Sequence, residues 1–218
     1  MRFLFNTVII EPEKDIPVHN AIILLHGYGG DGKDISMLIL NWKRFLPNTI
    51  FLCPDGDEKC VINPNGFQWF DLTKEDTNYV LEQSKKVEQK IRKFINQVKD
   101  KYQLSNSQIC ISGFSQGCML AINLGLTNNK NYNCIVGFSG KIIDKEDILK
   151  RKTSNTKMLL IHGDSDKVVS PDSLLEAKDF LIRNNVEVET NMIKNCEHHI
   201  PLMASSLALN YIKNNFSI

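Results

Sequence analysis

Short apolar runs alternate along the chain with longer segments whose apolar residues recur every three or four positions. Runs at 21–25, 49–53, 108–112, 134–138, 157–161 and 187–193 have the length of strands. Several are apolar almost throughout, as strands covered on both faces must be. A further run at 3–10 reads as a first strand. Between the runs, residues 78–102 place Val80, Val87, Ile91, Phe94, Ile95 and Val98 near one face, with Lys and Glu opposite, which predicts a long amphipathic helix. Segments 115–126, 171–183 and 201–214 predict shorter helices, with Pro171 and Pro201 where a first turn tolerates proline.

This alternation predicts an α/β chain, a mostly parallel central sheet with helices on both faces. No repeat or linker divides it, so residues 1–218 read as one domain. One stretch, 54–77, is too long for an ordinary connection. It carries Val61, Ile62, Phe67, Trp69 and Phe70, which either close an edge of the core or wall a pocket.

Composition narrows the classes. The net charge is +1, with Lys and Arg dispersed, which predicts no field for nucleic acid or an anionic membrane. No apolar run reaches the roughly eighteen residues of a membrane span, and no small-residue cleavage site follows the N-terminal apolar stretch. The cysteines show no C-x-x-C spacing, and Cys110 and Cys134 sit inside apolar runs. These features predict a reduced, cytoplasmic protein without disulfides, a metal or a cofactor.

The sharpest motif is Gly113-Phe114-Ser115-Gln116-Gly117, between a predicted strand and a predicted helix. A serine on such a turn needs strained backbone angles, and small residues two before and two after it remove the clashes. The helix start also offers unpaired N–H groups and a positive dipole. Gly137-Phe138-Ser139-Gly140 follows a strand too, but Lys141 stands where the second small residue is needed, so Ser139 is the weaker candidate.

A serine hydroxyl needs a base, and the base needs an orienting group. In chain order an acid should follow Ser115 and a histidine should follow the acid. The run 157–161 leads into His162-Gly163-Asp164-Ser165-Asp166. Asp164 suits a turn-fixing role, and Asp166, further out, suits the orienting one. His198 and His199 follow the last strand run, and residue chemistry alone does not separate them. Upstream, His26-Gly27-Tyr28-Gly29-Gly30 lets backbone approach a substrate closely, and with Gln116 it would supply oxyanion-binding N–H groups from Tyr28 and Gln116. A phosphate loop is the alternative, but Walker spacing is missing and Asp31 and Asp34 would repel phosphate.

Taken with Cys53-Pro54-Asp55-Gly56, Trp69-Phe70-Asp71 and His198-His199-Ile200, these motifs follow the order of a known family over nearly the whole chain. The chain resembles the acyl-protein thioesterase, carboxylesterase and lysophospholipase family of small α/β-hydrolases. The resemblance implies the α/β-hydrolase fold without a large cap domain, with Ser115 as nucleophile and Asp166 as orienting acid. It implies His198 as base, since Ile200 matches the family's aliphatic position two residues after it. Three positions depart from the pattern: Glu197 and Cys118 stand where glycine is usual, and Lys167 replaces a frequent proline. The implied substrates are short-chain esters, lysophospholipids and acyl thioesters on proteins, with Trp69 and Phe70 expected to bind substrate. The rival from another class is a non-catalytic protein that uses this fold to hold a lipid or a partner.

Overall fold

The computed structural model describes residues 2–74 and 76–216. Seven strands form one sheet: β1 (Thr7–Ile10), β2 (Asn20–Leu25), β3 (Thr49–Pro54), β6 (Ile109–Phe114), β7 (Cys134–Phe138), β8 (Met158–Gly163) and β9 (Val188–Ile193). Two short strands, β4 (Glu58–Lys59) and β5 (Phe67–Gln68), pair only with each other. The sheet order is β1-β3-β2-β6-β7-β8-β9, with β1 antiparallel to β3 and every other pair parallel. Parallel pairing brings the C-terminal ends of β2, β6, β7 and β8 to one rim, where a crevice is expected.

The strands alternate between two cores. Ile23, Leu25, Ile111, Ile135 and Leu160 face one side, and Ile22, Leu24, Cys110, Val136 and Ile161 the other. The first side is covered by α3 (Thr77–Tyr102), α4 (Gln116–Leu126), α5 (Lys145–Arg151) and α6 (Asp172–Arg183). The second is covered by α1 (Gly32–Ser36), α2 (Ile39–Trp42) and α7 (Leu202–Phe216). In α3 the predicted stripe is the buried one: Val87, Ile91, Phe94, Ile95 and Val98 enter the core. Burying each such side chain fully contributes about 1.5–3 kcal/mol. Asp76 caps its start by accepting the N–H groups of Asn78 and Tyr79, and Gln103, with φ of 54°, ends it.

The N-terminal run differs from the expectation of one strand over 3–10. Only Thr7–Ile10 pairs with β3, while Phe3 and Phe5 set their rings edge-on to Phe94 at 5.3 and 5.6 Å. Aromatic burial against α3 outweighs strand pairing there.

The stretch 54–77 holds the β4–β5 hairpin. Val61 and Ile62 lie exposed on the connection between those strands. Trp69 and Phe70 do the opposite: each is 1% exposed and packed in the α3-side core. The expectation had these two side chains binding substrate; here both lie in the core, Trp69 with its ring edge-on to Phe5. α1, α2 and α5, each only four to seven residues long, were not predicted. Among the described residues no helix is long and apolar enough to cross a membrane.

Candidate active site

β6 delivers Phe114 to the rim, and the chain turns at Ser115 into α4. Ser115 has φ of 51° and ψ of −114°, a conformation costly for any residue with a side chain. It is held by its own N–H, which donates to Phe138 of β7 at 2.8 Å. The two flanking glycines are sterically required. A Cβ at Gly113 would overlap the Gly117 carbonyl, and one at Gly117 would overlap the carbonyls of Leu25 and His26. Cys118, where the family usually has glycine, is buried with its thiol against Gly137 and Gly140.

Asp166 and His198 reach this turn from two laced loops. A Cβ at Gly163 would overlap the Cys196 carbonyl, so only glycine lets the end of β8 approach the segment after β9 so closely. Asp164 N–H donates to Ile193 and Ser165 N–H to Cys196, both at 3.0 Å. Asp166 is then buried, its Oδ1 accepting the N–H groups of Val168 and Val169 at 2.8 and 2.9 Å. Its Oδ2 accepts His198 Nδ1–H at 2.7 Å, and His198 Nε2 lies 3.0 Å from Ser115 Oγ. Burial pushes the Asp166 carboxyl up, but the His198 hydrogen bond and those from Val169 and Val168 together carry it below the usual carboxylate range. An ionised acid requires Nδ1 of His198 to carry its hydrogen, leaving Nε2 free to accept the serine hydroxyl.

The neighbouring candidates take no part in these bonds. His199 is exposed and its backbone N–H bonds Glu197. Asp164 is exposed and accepts the Ser165 hydroxyl at 2.7 Å. Ser139 shares the unusual φ, at 50°, yet among the described residues no histidine reaches its hydroxyl.

The glycine-rich loop after β2 is pinned through His26. Its Nδ1–H donates to the Gly27 carbonyl at 2.7 Å, its Nε2 accepts Gly56 N–H at 2.9 Å, and its ring stacks on Trp69. Trp69 Nε1–H donates back to the His26 carbonyl at 3.0 Å. Among the described residues, the N–H groups of Tyr28 and Gln116 donate to no protein group, although Gly29 and Gly30 N–H do. Trp69 thus floors the loop, and neither it nor Phe70 lines the cleft.

That cleft, about 570 Å³, opens above His198 between the glycine-rich loop and α1. Its apolar wall is Ile35, Met37, Leu38, Phe114, Ile200 and Leu202. Sequence reasoning missed the contribution of Ile35, Met37 and Leu38. The signal was present as Ile35, Leu38, Ile39 and Trp42 at helical spacing just beyond the glycine-rich loop.

Residues 6–215 match the family model described as phospholipase/carboxylesterase. The chain belongs to this family. Acyl-protein thioesterase 1 of Schizosaccharomyces pombe is 28% identical over 197 residues, 84% of each chain. Esterase YpfH of Escherichia coli is 24% identical over 94% of this chain and 86% of its own. Among solved structures, esterase PE8 superposes with a TM-score of 0.91 at 27% identity, covering 96% of this chain and 98% of its own. This member of the phospholipase/carboxylesterase family has the α/β-hydrolase fold and is a serine hydrolase of the esterase and thioesterase class.

Proposed function

We propose that the protein cleaves carboxylic esters or thioesters of apolar acyl chains through an acyl-enzyme on Ser115. His198 takes the hydroxyl proton as Oγ attacks the carbonyl carbon, and the Tyr28 and Gln116 N–H groups receive the oxyanion. When the tetrahedral species collapses, the bond to the leaving oxygen or sulfur breaks. His198 returns its proton to an alkoxide, and a thiolate needs it less. Water, deprotonated by His198, then repeats the cycle and releases the acid. Asp166 holds the imidazole in the required tautomer throughout. The acyl chain lies in the cleft walled by Ile35, Leu38 and Ile200, a wall that suits lysophospholipids and acylated proteins as well as small esters.

The observation that carries this reading is the 3.0 Å approach of His198 Nε2 to Ser115 Oγ, with Asp166 behind it at 2.7 Å. A binding protein has no use for a strained serine aligned with a tethered imidazole. Ser115→Ala should abolish hydrolysis of a chromogenic octanoyl ester and labelling by a fluorophosphonate. Wild-type turnover in that variant would refute the assignment.

A further inference from the structure

His162 is the fifth residue of β8 and is almost fully buried, beneath the cleft rather than in it. Its Nε2 lies 2.9 Å from the Val169 carbonyl, which can only accept, so Nε2 carries a hydrogen. The same nitrogen lies 3.2 Å from Asp166 Oδ2, the oxygen that receives His198. Its hydrogen is given to Val169, so it stands against Oδ2 without a hydrogen bond there; Oδ2 takes His198, while the other oxygen takes the Val168 and Val169 N–H groups. With donors on both oxygens the carboxylate cannot rotate about its Cβ–Cγ bond without breaking at least two of them.

We infer that His162 is a positioning residue: by holding Val169 it fixes the plane of Asp166 and thereby the aim of His198 at Ser115. The inference rests on the function proposed above. His162 ties the Val169 carbonyl to β8, so its ring sets the backbone whose N–H is one of the acid's donors. Distance alone would not require this. The His198 contact needs one lone pair of Oδ2, and a buried carboxylate with that pair misdirected would leave the imidazole free to swing. A misplacement of about 1 Å at a reacting group can cost on the order of a hundredfold in rate.

The test compares His162→Leu, which fills the space without a donor, with His162→Gln, whose amide nitrogen reaches the place of Nε2. Octanoyl ester hydrolysis and thermal melting are measured for both, with Ser115→Ala in parallel. In His162→Leu, kcat should fall roughly ten- to a hundredfold with KM changed by less than about twofold, and His162→Gln should recover most of the loss. Wild-type kcat in a folded His162→Leu variant would overturn the inference. So would a folded Gln variant as slow as Leu, because the ring would then be acting only by its shape. Should the Leu variant not fold, His162→Asn takes its place, since its amide stops near Nδ1 and cannot reach the Val169 carbonyl. Retained turnover in Ser115→Ala would instead condemn the nucleophile assignment, a separate failure.

Discussion

The side-chain oxygen of Gln116 accepts the backbone N–H of Trp69 at 3.0 Å, and its amide donates to the Phe70 carbonyl at 2.7 Å. The residue that follows the nucleophile therefore ties α4 to the segment flooring the glycine-rich loop. Gln116 is wholly buried, so truncating it strands two backbone groups out of reach of solvent. Gln116→Leu should lower stability by about 1–3 kcal/mol for each stranded group, read as a fall in the urea midpoint. An unchanged midpoint would mean that the tether contributes nothing.

Gly117→Ala should be more damaging than its chemistry suggests. In an open helix the exchange stabilises by roughly 0.5–1 kcal/mol. Here the new methyl would overlap the carbonyls of Leu25 and His26, backbone that cannot rotate away. We expect a net loss of about 1–3 kcal/mol from overpacking, seen in thermal melts, together with reduced hydrolysis as the elbow shifts. A variant that melts at or above the wild-type temperature would contradict the packing at this turn.

His26 makes stability depend on pH. Burial lowers its pKa from 6.5, and this outweighs the opposing Gly27 hydrogen bond and the charges of Asp55, Asp31 and Asp34. The unfolded chain therefore takes up its proton at a higher pH than the folded protein does. Its stabilising contribution is complete above about 6.5 and is lost as pH falls from there toward the folded value. Unfolding free energies measured between pH 7.5 and 5 should slope downward with acid, and His26→Gln should flatten that slope. Equal slopes in the two proteins would remove His26 as a source.

Met37 and Leu202 line the cleft yet are 62% and 67% exposed. Changing them costs little folding energy, within about 0.5 kcal/mol. If acyl chains lie along them, each methylene taken from water contributes about 0.8 kcal/mol. Wild-type kcat/KM should rise from acetyl to octanoyl esters. The double variant Met37→Asp, Leu202→Asp should lose several-fold on octanoyl and hardly change on acetyl. An equal change on both esters would place the chain elsewhere.

The strand and helix pattern was legible because a doubly covered parallel sheet demands continuous apolar runs, and those at 134–138 and 108–112 lie within a residue or two of β7 and β6. The turn at Ser115 was legible for a similar reason, since two glycines flank a position that only small neighbours permit. Trp69 and Phe70 were not. An aromatic pair in a long loop looks the same whether it floors a core or walls a pocket, and only tertiary packing, such as that of Trp69 against Phe5 and His26, separates the two. The same holds for His162, which in the sequence only precedes the acidic turn and which only its contacts with Val169 and Asp166 tie to the site.

By itself, then, the sequence determined the layered α/β architecture, the strained serine and the order of acid and histidine after it. These follow from local sterics and from periodicity, which neighbouring residues dictate. The family resemblance pointed to His198 over His199, but only tertiary structure decided how His198 is aimed at Ser115, that His162 stands against Asp166, and that α1 rather than the 54–77 stretch walls the cleft. Those outcomes depend on side-chain directions set to fractions of an ångström by parts of the chain far apart in sequence.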